Sequence, residues 1–177
     1  MKERFSGDRK GQHPKDHLAR FRGWMHADGY AGFEDLYRSG AIREVACMAH
    51  VRRKFVDIHR SQGSPIAEEA IGRIAQLYAV EKEARGSPPD VRVALRKAHA
   101  APVFDDLELW LALQLTTISG KSPLAAAIRH ALTRMERLRP YLDNGNLELD
   151  TDVVEQPLSQ PFCGFGGLSF QASTMAA

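Results

Sequence analysis

The chain has 177 residues, 44% of them hydrophobic and 26% charged, the proportions of a globular protein with one ordinary core. Twenty-four Lys and Arg against 22 Asp and Glu leave a net charge of +2, so bulk charge neither demands nor excludes a nucleic-acid partner. Two distant cysteines, Cys47 and Cys163, exclude a disulfide framework, and the charged start MKERFSGDRKGQHP and the lack of a long apolar run argue against a signal peptide or membrane span, which points to the cytoplasm.

In chain order, DHLARF (Asp16 to Phe21) follows Pro14 and has Leu18 and Phe21 at helical spacing. WMHA (Trp24 to Ala27) reads as a short buried strand that ends at Asp28. AGFEDLYRSG suits a helix with Phe33, Leu36 and Tyr37 on one face and Gly40 as its stop. IREVACMAH (Ile42 to His50) is nearly continuously apolar, as a strand covered on both faces would be. A helix with Val51, Phe55 and Ile58 on one side follows. Strand, helix, strand, helix is an α/β order.

From Ser64 to Pro140 the pattern is helical almost throughout. Ser64 and Ser122 are candidate N-caps, each followed by a proline at the first helical position, where the missing N–H costs nothing. Ile66, Ala70, Ile74, Leu77 and Glu81 trace the helical repeat. GSPPD (Gly86 to Asp90) breaks the chain before another helix with Val91, Leu95 and Ala98. After Pro102 come Phe104, Leu107, Leu111, Leu115 and Ile118, and then Leu124, Ile128, Ala131, Met135 and Leu138. Four helices joined by short connections suit a bundle. Asp143-Asn144-Gly145 is a turn signal. Past Glu155 the chain becomes rich in Gly, Ser and Pro without any period, and no structure is expected there.

Three stretches can carry chemistry. Asp28, at the tip of a strand in an α/β unit, is either a turn-former with Gly29 or a carboxylate held out at the edge where such folds place their sites. Glu155 lies three residues after Asp152 on one helical face, either as part of a capping arrangement or as a second carboxylate able to meet Asp28. Cys47 and His50 have the spacing of half a zinc site with no second pair elsewhere, which favours a small core residue over a ligand. Arg52, Arg53 and Lys54 form a basic cluster, either a solvated helix face or a phosphate contact.

Taken together, DRKGQHPKDHL, ADGYAGF, CMAHVRRKF and LELDTDVVEQ resemble, in order, motifs of the DDE transposases of the insertion-sequence-sixty-six type. AAAIRHALTRMERL is similar to the helix that precedes the family's last motif. The resemblance runs from Phe5 to Glu155. It implies an α/β, mostly helical architecture: a ribonuclease H-like core over 1–60, a helical insertion over 61–141, a return to the core over 142–157 and an unstructured tail over 158–177. It also implies DNA transposition by strand cleavage and joining, with Mg²⁺ or Mn²⁺ ions held by an Asp, Asp, Glu set. Asp28 matches the second aspartate and Glu155 the glutamate, so both are the expected catalytic and metal-binding residues. Arg52, Arg53 and Lys54 become expected DNA contacts. The implied partners are transposon-end DNA and further transposase subunits, with no membrane, in a bacterial cytoplasm.

The chain also departs from the pattern. The family's first aspartate lies on a strand upstream of DRKGQHP, and here Met1 stands only a few residues before that motif, so the first strand hairpin and its ligand are expected to be absent. Thr151 and Asp152 occupy two asparagine positions, Gln156 an arginine position, and Pro157 falls where the helix of Glu155 should continue. The expectation is a fragment without strand-transfer activity of its own. The alternatives are a non-catalytic DNA-binding or subunit-interacting module, with Arg129, His130, Arg134, Arg137 and Arg139 as a basic surface, or a product without function that folds poorly.

Overall fold

The computed structural model describes residues 22–26, 37, 38, 40 and 42–150. Two short strands, β1 (Gly23–His26) and β2 (Ile42–Val45), pair in parallel, with Gly23 opposite Ile42 and His26 opposite Val45. Between them Tyr37 and Arg38 are helical, and the Gly40 N–H donates to the Tyr37 carbonyl at 3.0 Å. Gly40 has φ of 68°, the left-handed conformation in which glycine replaces most residues at a helix stop. The rest of the expected helix from Ala31, and that from Asp16 to Phe21, lie outside the described residues.

Helices then follow in close succession: α1 (Met48–Gln62), α2 (Pro65–Ala84), α3 (Pro89–Leu95), α4 (Ala101–Thr117), α5 (Pro123–Leu138) and the single turn α6 (Pro140–Asp143). The described chain is therefore mostly helical, with a small parallel sheet at one side. Helix α1 packs on α2 and α5, and α4 packs on the same two helices. Their common core holds Phe55, Ile74, Leu77, Phe104, Ile128 and Met135, all excluded from solvent.

The Ser-Pro openings behave as their chemistry requires. Ser64 Oγ accepts from the Ala67 N–H at 3.3 Å, and Ser122 Oγ from the Ala125 N–H at 3.1 Å. Each serine satisfies one of the donors that a helix start leaves over. Ser64→Ala and Ser122→Ala are each expected to lower unfolding free energy by about 1 kcal/mol. Because the sites share no partner, the double variant should lose the sum. Urea titration of the single and double variants reads this directly.

Two expectations need correction. The apolar run Ile42 to His50 is not one strand: β2 ends at Val45 and α1 begins at Met48. Its continuity has another cause, since the start of α1 is itself buried, with Met48 and Val51 at 0% and 2% exposure. The bend at Cys47 is held from outside, by Ala46 N–H donating to the Arg137 carbonyl at 3.3 Å and Met48 N–H to the Leu149 carbonyl at 3.0 Å.

The second correction concerns α3. Its apolar residues at helical spacing are not core: Val91 is 42% exposed, and Ala98 faces solvent. Arg96 and Ala100 point inward instead, within a π-helical turn (Arg96–Ala100) that joins α3 to α4 without a break. Pro102 stands just after this turn. A proline ring crowds the carbonyl four residues back and offers that carbonyl no N–H; a widened turn at this point lets one continuous helix run past it.

Candidate functional site

The charged interior of the helical region fixes where the chain returns to the sheet. Arg96 is fully buried, and its Nε and Nη2 donate to the two carboxylate oxygens of Glu81 at 2.7 Å each. Its Nη1 donates to the carbonyls of Tyr141, at 2.9 Å, and Asn144, at 3.1 Å. The guanidinium also lies 4.9 Å from the centre of the Tyr141 ring. One turn earlier, Arg92 donates to Glu148 at 2.7 Å and sits 3.7 Å from Glu81. Two arginines of one helix thus hold residues 141–148 against α2 and α3. Charge-assisted, bidentate pairing of this kind sets geometry as well as energy.

So held, the segment after the Asp143-Asn144-Gly145 turn runs back to the junction of β2 and α1, where Leu149 accepts from Met48. His26, the last residue of β1, is 2% exposed and feels both Glu148 and Asp150. Burial lowers the His26 pKa below its ordinary value; the nearby Ala46 backbone and the two acids pull it only partly back. Among the described residues neither ring nitrogen has a partner in good hydrogen-bond geometry. Asp150 is 5% exposed and lies close to the Tyr78 phenol of α2. Burial and the neighbouring Asp150 carboxylate raise the Tyr78 pKa far above its usual range.

Asp28 and Glu155 themselves lie outside the described residues, as do Asp152, Gln156, Pro157 and residues 158–177. Their nearest described neighbours in sequence, His26 and Asp150, are within electrostatic reach of each other. Among the described residues no cluster of three His, Cys, Asp or Glu is arranged to hold a metal ion. Cys47 is a buried residue at the head of α1, in keeping with a packing role.

The basic cluster is divided by the helix. Arg52 and Arg53 line an open groove of about 630 Å³ between α1 and α2, and Arg60, two turns on, joins them. Lys54 is exposed but does not line the groove. Arg60 and Tyr78 escaped the sequence reading, although Arg60 follows Arg53 by seven residues, a spacing that returns to one helical face. The basic face expected on α5 is largely engaged: Arg137 pairs with Glu44, Arg139 with Asp105 and Glu108, and Arg129 with the Gly120 carbonyl.

The model of the transposase IS66 family matches residues 4–163. The chain belongs to that family. Among curated relatives it is similar to three proteins of Sinorhizobium fredii (strain NBRC 101917 / NGR234), called uncharacterized proteins y4jD, y4qI and y4hP. The first is 36% identical over 87% of this chain and 31% of its own, the second 37% over 88% and 30%. The third is 31% identical over 97% of this chain and 34% of its own. The IS66-family chain thus spans about a third of the length of these relatives. No solved structure matches it. No helix among its described residues is long and apolar enough to cross a membrane.

Proposed function

We propose that this chain is the part of a transposase catalytic domain that carries the second and third acidic motifs, with the helical insertion between them. In this reading residues 1–60 and 142–157 belong to a ribonuclease H-like core and 61–141 to the insertion. Asp28 and Glu155 are the carboxylates that face transferred DNA, and Arg52 and Arg53 contact its backbone. The observation that carries the reading is the return of the chain at Leu149 and Asp150 to the end of the parallel strand pair. Without that return the two acidic motifs would have no common edge.

Carboxylate oxygens are the hard ligands that Mg²⁺ and Mn²⁺ prefer, and Asp28 and Glu155 would hold such an ion. When bound, it activates an attacking oxygen and stabilises the leaving one in phosphodiester cleavage. Asp28 and Glu155 are the motif carboxylates of these 177 residues. The second of these is followed directly by Gln156 and Pro157, and proline in a helix interior costs about 3 kcal/mol. The 177-residue chain is therefore expected to show no nicking or strand transfer on plasmid DNA with Mg²⁺ or Mn²⁺. Cleavage abolished by Asp28→Ala would refute that inactivity while supporting the role of Asp28.

A second reading, a module that binds DNA without cutting it and modulates a full-length transposase, is favoured by the arginine groove. Salt-dependent DNA retention without cleavage would select it.

A further inference from the structure

Resting on the reading of a DNA-directed chain, we infer that the groove between α1 and α2 is a binding site for an unpaired DNA strand rather than a duplex track. Its rim carries three guanidinium groups, Arg52, Arg53 and Arg60. None of the three forms an ion pair among the described residues. Arg52 and Arg60 are eight residues apart, about 12 Å along the helix, a length that serves more than one phosphate of a single strand.

The floor decides between the two forms of DNA. A surface that follows duplex phosphates needs cations and little else. The lining of this groove instead adds Val56, Ala75 and Tyr78 to the arginines, together with two acids, Asp57 and Asp150. Carboxylates repel a phosphate track but accept hydrogen bonds from base amino groups. Aromatic and aliphatic floors take the face of a base, which only an unstacked strand presents. Tyr78 and Asp150 line the groove together, which ties it to the segment that returns beside β1.

Fluorescence anisotropy on the full chain tests this, with a short fluorescein-labelled single strand of mixed sequence and a duplex of equal length. The strand is expected to bind more tightly than the duplex at low salt. Arg60→Gln, an exposed change that leaves the core intact, should weaken strand binding and reduce the slope of log K against log salt by about 0.7. Tyr78→Ala should weaken it by about tenfold, while Tyr78→Phe, which keeps the ring, should stay within about twofold. Lys121→Gln, outside the groove lining, should change nothing. A duplex that binds as well as the strand, or strand binding indifferent to Arg60→Gln, overturns the groove assignment alone. Failure of both DNA forms to bind overturns the nucleic-acid reading with it.

Discussion

Replacing Arg96 with methionine is expected to lower the unfolding free energy by about 3–5 kcal/mol, the cost of breaking a buried ion pair from one side. The change strands the Glu81 carboxylate in the interior, with only Arg92 at 3.7 Å to answer it. It also leaves the carbonyls of Tyr141 and Asn144 without the donor they share. Arg96→Lys should recover only part of the loss, since an ammonium cannot meet both Glu81 oxygens and both carbonyls in one plane. The double variant Glu81→Leu, Arg96→Met should recover most of it, because an apolar pair of similar volume avoids the desolvation of two charges. Urea unfolding followed by circular dichroism supplies all three values. A loss below about 1 kcal/mol for Arg96→Met would mean that water reaches the pair in solution.

Gly145→Ala is the second large effect. A Cβ at this position would overlap the carbonyl oxygen of Pro89 and lie 2.6 Å from the Pro89 Cα. Both obstacles are backbone, at the first residue of α3, so no side-chain rotation relieves them. Overpacking against yielding neighbours costs about 1–3 kcal/mol, and against a helix start the loss should reach the top of that range or exceed it. The damage should be local as well as global. Hydrogen exchange of the Met48 and Leu147 amides, which donate to Leu149 and Asn144, is expected to speed up before that of the Phe55 and Ile128 core, because the turn is what delivers this segment to Met48. Equal acceleration everywhere would count against that order.

Much of the helical region was legible because its signals are local. Ser64-Pro65 and Ser122-Pro123 declare helix starts by themselves, and the stripe from Leu124 to Leu138 is buried as its period demands. The stripe that ends at Glu81 was also read correctly, yet its last member gave the clue that was missed. An acid on an inward face requires a buried partner, and Arg96 was the arginine able to supply it. Apolar spacing alone picks out Val91, Leu95 and Ala98, whereas Arg96 and Ala100 are the residues that point inward.

The division of the run from Ile42 to His50 was hidden for a different reason. Its bend is fixed by carbonyls of Arg137 and Leu149, about a hundred residues away, and no local pattern announces them. The same holds for the groove: Arg52, Arg53 and Arg60 are near in sequence, but Tyr78 and Asp150 reach it only through the packing of α2 and the return of the chain. Asp28 and Glu155 were singled out by local pattern and by family resemblance, and their placement lies beyond the described residues. What can be read beside them is His26 and Asp150, brought within reach by that same return.

The bond from Met48 to Leu149 has a consequence for how the molecule is made. While the nascent chain is still emerging from the ribosome, β2 and the head of α1 exist long before the residue that must close over them. Contacts so distant in sequence carry a large loop-closure entropy and form late. The helices can assemble as they are synthesised, but the apolar bend at Ala46 and Cys47 waits exposed until the last stretch is released, and translation halted before Leu149 should leave a chain that chaperones retain.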